Sequence, residues 1–167
     1  MIVILDNISV GPTFRSDILE ILPEDNLGDE LKDRWFSLNQ EHQFDNFCTE
    51  LIKLASDFYD LSSCIGYEFW TQNNTRPFDW HQDRDEELGT QGIESFPLCS
   101  MVYYLVVENL QGGKLHLEDD IITPKTDRLV IFPPGKYHMV DPFEGKRVSL
   151  LINPWNRSLN KNTYYYK

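Results

Sequence analysis

The stretch Leu98-Cys-Ser-Met-Val-Tyr-Tyr-Leu-Val-Val107 is close to continuously apolar and rich in Val and Tyr. A strand with one wet face would alternate, so this run reads as a strand covered on both faces. It therefore demands a layer on each side. Short strand-like segments follow it at close intervals. Lys114-Leu-His-Leu-Glu118 alternates cleanly, and further strands are expected at 121–123, 128–132, 137–140 and 146–152. Turn-forming clusters separate them: Asn109-Leu-Gln-Gly-Gly113, Pro124-Lys-Thr-Asp127, Pro133-Pro-Gly135 and Pro142-Phe-Glu-Gly145. Upstream, Ile65-Gly-Tyr-Glu-Phe-Trp-Thr71 reads as another strand. Many short strands punctuated by Gly and Pro close into a sandwich or a barrel.

The first third of the chain has a different period. Pro12 suits a first helical position and Pro23 a stop, with Phe14, Ile18 and Ile21 as an apolar stripe between them. Across about residues 41–59, Phe44, Phe47, Cys48, Leu51, Ala55 and Phe58 recur at three- and four-residue spacing, the mark of an amphipathic helix. The expected class is α+β, mainly β: helices first, packed on one sheet of a double-sheet core of jelly-roll type. The length of 167 residues suits one domain. Within 1–167, residues 1–62 are expected as mainly helical support, 63–155 as the β-core and 156–167 as a C-terminal tail.

Composition narrows the partners. A net charge of −12, from 15 basic and 27 acidic residues, works against nucleic acid, which calls for a positive field over its phosphates. A small molecule, a peptide or a basic protein segment fits better, and the acidity also serves solubility alone. Met1–Asp6 is too short for a signal peptide and lacks basic flanks, and no apolar stretch is long enough to span a bilayer. Cys48, Cys64 and Cys99 are odd in number and show no C-x-x-C spacing, as expected of reduced thiols in a cytoplasmic protein.

The chemistry concentrates in His81-Gln82-Asp83 and the downstream His138. If residues 80–83 are extended, His81 and Asp83 present an imidazole and a carboxylate to one side. His138 can join them from another strand. Two neutral donors and one carboxylate hold a divalent metal on one face and leave the other open, a geometry that suits ferrous iron. His-x-Asp alone is a short pattern that also occurs in surface loops. On the strand 146–152, Arg147, Ser149 and Leu151 share one face and Val148, Leu150 and Ile152 the other. Arginine inside an apolar strand needs an anionic partner. Either an internal carboxylate supplies it, or a ligand carboxylate does, bound bidentately.

The ordered set His81-x-Asp83, Tyr103-Tyr104-Leu105, Gly112-Gly113, Asp127-Arg128-Leu129-Val130, His138 and Arg147-x-Ser149 resembles the Fe(II)/2-oxoglutarate-dependent dioxygenases, most of all the prolyl-hydroxylase-like branch. The resemblance spans about residues 65–155. It implies a double-stranded β-helix holding iron through His81, Asp83 and His138. It implies 2-oxoglutarate chelating that iron, its far carboxylate on Arg147, Tyr104 and Ser149, with dioxygen as oxidant and ascorbate as an in vitro activator. Collagen-type prolyl hydroxylases carry lysine where Arg147 stands, so the match at that position is to other branches. Hydroxylation of a peptidyl proline or another protein side chain is the substrate reading that this branch suggests. A free amino acid or small metabolite is the second, and a non-catalytic, cupin-like metal-binding β-barrel is the rival class.

Other polar and aromatic residues are expected in lesser roles. Tyr103 points away from Tyr104 and is expected to pack, and Gly112-Gly113 to allow a tight turn. His116 is expected in solvent or at a pocket rim, and His42 at the surface. Trp70, Trp80 and Tyr67 are expected in packing before pocket lining. Residues 84–94, polar and containing two glycines, read as a loop.

Overall fold

A computed structural model describes residues 1–21, 34–42, 44–72 and 77–159. The expected helix stop at Pro23 and most of the expected C-terminal tail lie outside the described residues. The described strands are β1 (Val3–Leu5), β2 (Arg34–Ser37), β3 (Gly66–Gln72), β4 (Phe78–His81), β5 (Ser100–Gly112), β6 (Leu115–Leu117), β7 (Asp120–Ile122), β8 (Arg128–Phe132), β9 (His138–Val140) and β10 (Phe143–Trp155). The helices are α1 (Pro12–Ile21), α2 (Asp45–Ala55) and α3 (Glu86–Thr90). The larger sheet runs β1-β8-β5-β10-β3-β2 and the smaller one β4-β9-β6-β7, with antiparallel neighbours throughout.

The apolar run opens β5, which lies inside the larger sheet between β8 and β10. Alternation divides its side chains between two buried clusters. Met101, Tyr103 and Leu105 join Val148, Leu150 and Ile152 of β10, and this cluster also contains Ile18 of α1 and Cys48, Leu51 and Ala55 of α2. The Phe47 ring meets Tyr103 edge-on at 5.4 Å. Val102 and Tyr104 face the other way, with Leu151, and pack against Leu115, Leu117, Ile122 and Val140 of the smaller sheet. One layer is thus filled from the N-terminal helices and the other from between the sheets.

Two expected turns prove to be strand. Asn109–Gly112 continues β5, and Phe143–Gly145 begins β10. The glycines mark an irregularity in the ladder, where register slips between Glu144 and Lys146. Gly145 has φ +97°, and a Cβ there would stand 2.3 Å from the Asn109 carbonyl oxygen. A second slip, between Val148 and Ser149, leaves Leu105 of β5 without a partner, so the alternation along β10 is undisturbed. The segment 84–94 also differs from expectation: Asp85 caps the short helix α3 by accepting from Leu88 N at 3.1 Å. The short strands β1 and β2 were not expected at all; each pairs at an edge of the larger sheet.

Gly145→Ala forces a side chain into positive φ against backbone. It is expected to lower unfolding free energy by about 1–3 kcal/mol, read as a lower urea midpoint at unchanged slope.

Candidate metal centre

His81 closes β4 and His138 opens β9, and the two residues are paired in register across the smaller sheet. Their rings lie 4.2 Å apart, centroid to centroid. Asp83 follows two residues beyond the end of β4, so the carboxylate reaches the site from an irregular segment and not from an extended strand. That segment is pinned on both sides. Gln82 Nε2 donates to the Gly135 carbonyl at 2.6 Å, which ties it to the turn before His138. Asp85 N donates to Ser95 O at 2.9 Å. One potential ligand atom from each of His81, Asp83 and His138 falls within 4.8 Å of the others.

The imidazoles are held in one tautomer. His81 Nδ1 lies 2.7 Å from Asp79 O, and His138 Nδ1 lies 3.0 Å from Lys136 O. Each ring therefore donates Nδ1–H to a carbonyl two residues earlier, which leaves Nε2 as the nitrogen available to a metal. His138 Nε2 and Asp83 Oδ1 are 3.8 Å apart, too far for a hydrogen bond but close enough to share a cation. Burial lowers the His138 pKa, and His81 adds to that; the Asp83 carboxylate opposes both. A neutral imidazole is the form that binds metal. Two such nitrogens and one carboxylate, all converging from one side, are the donor set of an open-sided ferrous site.

Arg147 is 3% exposed. Nη1 donates to the Gly113 carbonyl at 3.2 Å, and the guanidinium lies 4.6 Å over the Phe143 ring. Its Nε has no partner, and among the described residues no carboxylate pairs with it. Of the two partners open to a buried arginine, the internal salt bridge is therefore not found among these residues. Ser149 stands opposite Tyr104 across β10 and β5, and the Ser149 Oγ is also buried without a partner among the described residues. Burial pushes the Tyr104 pKa up to about 12, against the attraction of Arg147 and Arg128, so the phenol keeps its proton. An unpaired cation, a protonated phenol and an unused hydroxyl fit an incoming carboxylate.

The remaining residues sort by face. Tyr103 packs on the helical side, its hydroxyl 2.9 Å from Ile8 O and 2.6 Å from Asp127 Oδ1. His116 is half-buried, with Nε2 2.7 Å from Asp141 Oδ1, so it does not stand free in solvent. His42 is a correction to the surface assignment: its ring stacks on Phe36 at 4.0 Å, and Nε2 lies 2.6 Å from the Tyr67 hydroxyl. Tyr67 is buried and donates to Asp45 at 2.7 Å, and Trp70 packs between the sheets. Trp80 does not pack in the core, being 47% exposed. Gly113 does more than turn the chain, since its carbonyl orients Arg147.

Asn153 was overlooked in the sequence. It is 1% exposed, and both of its side-chain amide atoms lack partners among the described residues. It lies opposite Glu68, which accepts from Trp155 Nε1 at 2.7 Å. The signal was available, because carrying the alternation of Arg147 and Ser149 further along β10 lands on Asn153.

Comparison with known proteins adds a family and a fold. The family described as the 2OG-Fe(II) oxygenase superfamily matches residues 67–156, more than half of the chain. No curated protein sequence matches. Among solved structures, a Pseudomonas putida prolyl-4-hydroxylase superposes with a TM-score of 0.59 at 18% identity, covering 94% of this chain and 93% of that one. A Burkholderia pseudomallei oxidoreductase of the 2OG-Fe(II) oxygenase family gives 0.62 at 13% identity, over 98% and 89% of the two chains. A Trichoplax adhaerens prolyl hydroxylase, solved with a peptide fragment of the hypoxia inducible factor oxygen degradation domain, gives 0.56 at 15% identity, over 93% and 83%. These likenesses show the jelly-roll fold.

Removing one partner of a buried ion pair costs about 3–5 kcal/mol, because the other charge is stranded. Arg147→Met strands no carboxylate among the described residues. It is expected to cost less than about 1 kcal/mol by chemical denaturation, since it also relieves a buried cation.

Proposed function

The chain belongs to the 2OG-Fe(II) oxygenase superfamily and is an Fe(II)- and 2-oxoglutarate-dependent dioxygenase; on that footing we propose that His81, Asp83 and His138 hold its iron and that Arg147, Tyr104 and Ser149 hold the far carboxylate of 2-oxoglutarate. The observation that carries this reading is a buried arginine without a carboxylate partner among the described residues, on the same strand face as an unpartnered serine. When bound, iron with dioxygen and 2-oxoglutarate supplies an oxidation that yields succinate and carbon dioxide and hydroxylates the substrate.

The protein's own contribution is placement. The Asp79 and Lys136 carbonyls accept from Nδ1–H of the two imidazoles, so Nε2 is the ring nitrogen each would offer a metal. Gly113 and Phe143 fix the Arg147 guanidinium before any ligand arrives. Tyr104 stays protonated and can donate to a carboxylate oxygen. The apolar cluster between the sheets, including Val102, Val130 and Leu151, keeps water from competing for these donors.

For the substrate, a residue of a polypeptide is the reading supported here, a prolyl side chain first. Prolyl hydroxylases are among the structural neighbours, and one of them was solved with a peptide. We take 1–167 as one domain in which α1 and α2 back the larger sheet, a view supported by the cluster they share with β5 and β10. Among the described residues no helix is long and apolar enough to cross a membrane. The free thiols Cys48, Cys64 and Cys99 support a reducing, cytoplasmic setting.

Succinate release with Fe(II), ascorbate and 2-oxoglutarate tests the class. Wild type is expected to turn over slowly without substrate, and His81→Ala to lose iron and activity together. In an anaerobic titration of the iron form, Arg147→Ala is expected to weaken 2-oxoglutarate binding by about 30-fold or more, as loss of a charge-assisted contact worth roughly 2 kcal/mol implies. Failure of wild type to bind 2-oxoglutarate in that titration would falsify the assignment.

The lowered His138 pKa sets a pH dependence. Above the ordinary imidazole value of about 6.5, and for some way below it, His138 stays neutral and its proton does not compete with metal. Fe(II) affinity, by competition with a calibrated chelator, should hold from pH 8 to about 7 and fall in acid, with His138 losing its metal-binding form only below its ordinary value. An affinity already falling between pH 8 and 7 would contradict this.

A further inference from the structure

Trp80 and Tyr137 each precede a proposed iron ligand, His81 and His138. His138 is buried and His81 half-buried, whereas the aromatic residue before each is exposed, so Trp80 and Tyr137 project outward beside inward-facing histidines. Both remain 47% exposed. Among the described residues neither ring stacks on another or carries a cation. Together with Glu118 they line a shallow hollow of about 410 Å³. Two open aromatic rings side by side, one on an edge strand, are an unusual use of surface.

The charge around the hollow is one-sided. Lys136 Nζ reaches Glu118 Oε2 at 2.6 Å, and Asp119 and Asp120 also act on that ammonium. Arg84, which senses Tyr137, is matched by Glu86 and Glu94. Two cations thus meet five carboxylates, and the remaining field is negative.

We infer that Trp80, Tyr137 and Glu118 form a recognition pocket for a lysine or arginine side chain of the polypeptide that presents a residue to the iron; this rests on the reading of the substrate as a polypeptide. The aromatic faces supply cation–π attraction, and Glu118 supplies a counter-charge that it shares with Lys136. β4 is an edge strand of the smaller sheet, so a chain leaving the hollow has only that strand to round. Side chains pointing apart from adjacent positions put their tips on the order of 10 Å apart, a span of about three extended residues. The cation would sit at about that separation from the oxidised residue.

Fluorescence anisotropy with labelled twelve-residue Gly/Ser/Pro peptides, identical except for three lysines or three norleucines, tests this on the full chain. The lysine peptide is expected to bind at least about tenfold more tightly. Trp80→Leu and Tyr137→Leu should each weaken it by about tenfold, and Trp80→Phe should recover most of the loss. The leucine variants remove no charge, so a general attraction between a cationic peptide and a chain of charge −12 would survive them. Equal binding of the two peptides, or leucine variants that bind like wild type, would overturn the pocket. Glu118→Gln should also weaken peptide binding and leave substrate-free succinate release unchanged, which shows an intact fold. Absence of succinate release from wild type would count against the oxygenase reading, while the anisotropy readout would still judge the pocket.

Discussion

The pairing of β5 with β10 carries the rest of the structure. Both strands have 13 residues, and they are joined in register from Phe143–Gly112 to Ile152–Met101. Because the pair lies inside the larger sheet, each strand has two buried faces. On β10 these faces have different chemistry. Val148, Leu150 and Ile152 go to the helical side, where each fully buried aliphatic group is worth about 1.5–3 kcal/mol. Arg147, Ser149 and Asn153 go to the other side with unmade hydrogen bonds. The apolar half of the strand therefore holds in place a polar half that would not bury itself.

The proposed metal ligands are placed by a weaker device. Residues of two short strands and an irregular segment have to meet, and the register of His81 with His138 is the step that aligns them. Backbone carbonyls fix the rings, and the Gln82 bond to Gly135 brings the segment carrying Asp83 to the same place. None of these contacts is strong alone. They share the same few residues, so the segments before His138 and after His81 are ordered together.

Much of this was legible in the sequence, and the exceptions have physical causes. The run 98–107 announced a doubly covered strand, and alternation along 146–152 placed Arg147 with Ser149, because a strand's period of two is rigid wherever the ladder is regular. The His81, Asp83 and His138 set was legible as a combination of residue types in order. The edge strands β1 and β2 were not, because three or four residues show no period and owe their state to the neighbour they pair with. Phe143–Gly145 read as a turn because glycine with positive φ serves a turn and a ladder irregularity alike. His42 read as surface because its burial depends on Phe36 and Tyr67, which reach it only in three dimensions.

Arg147 has a thermodynamic consequence beyond the site. A guanidinium stripped of water while lacking a counter-ion among its described neighbours is a charge whose hydration is lost at folding and not at ligand entry. A carboxylate bound there as proposed would meet a donor that is already dry and already aimed, so reorganisation would add little to the barrier of binding. The same fact couples two equilibria. An anion that neutralises Arg147 binds the folded chain and has no such seat on the unfolded one, so every increment of anion draws the population toward the native state. On the proposed role of Arg147, the stability of this protein would be a function of the 2-oxoglutarate concentration around it, and the folded fraction would itself report how full the site is.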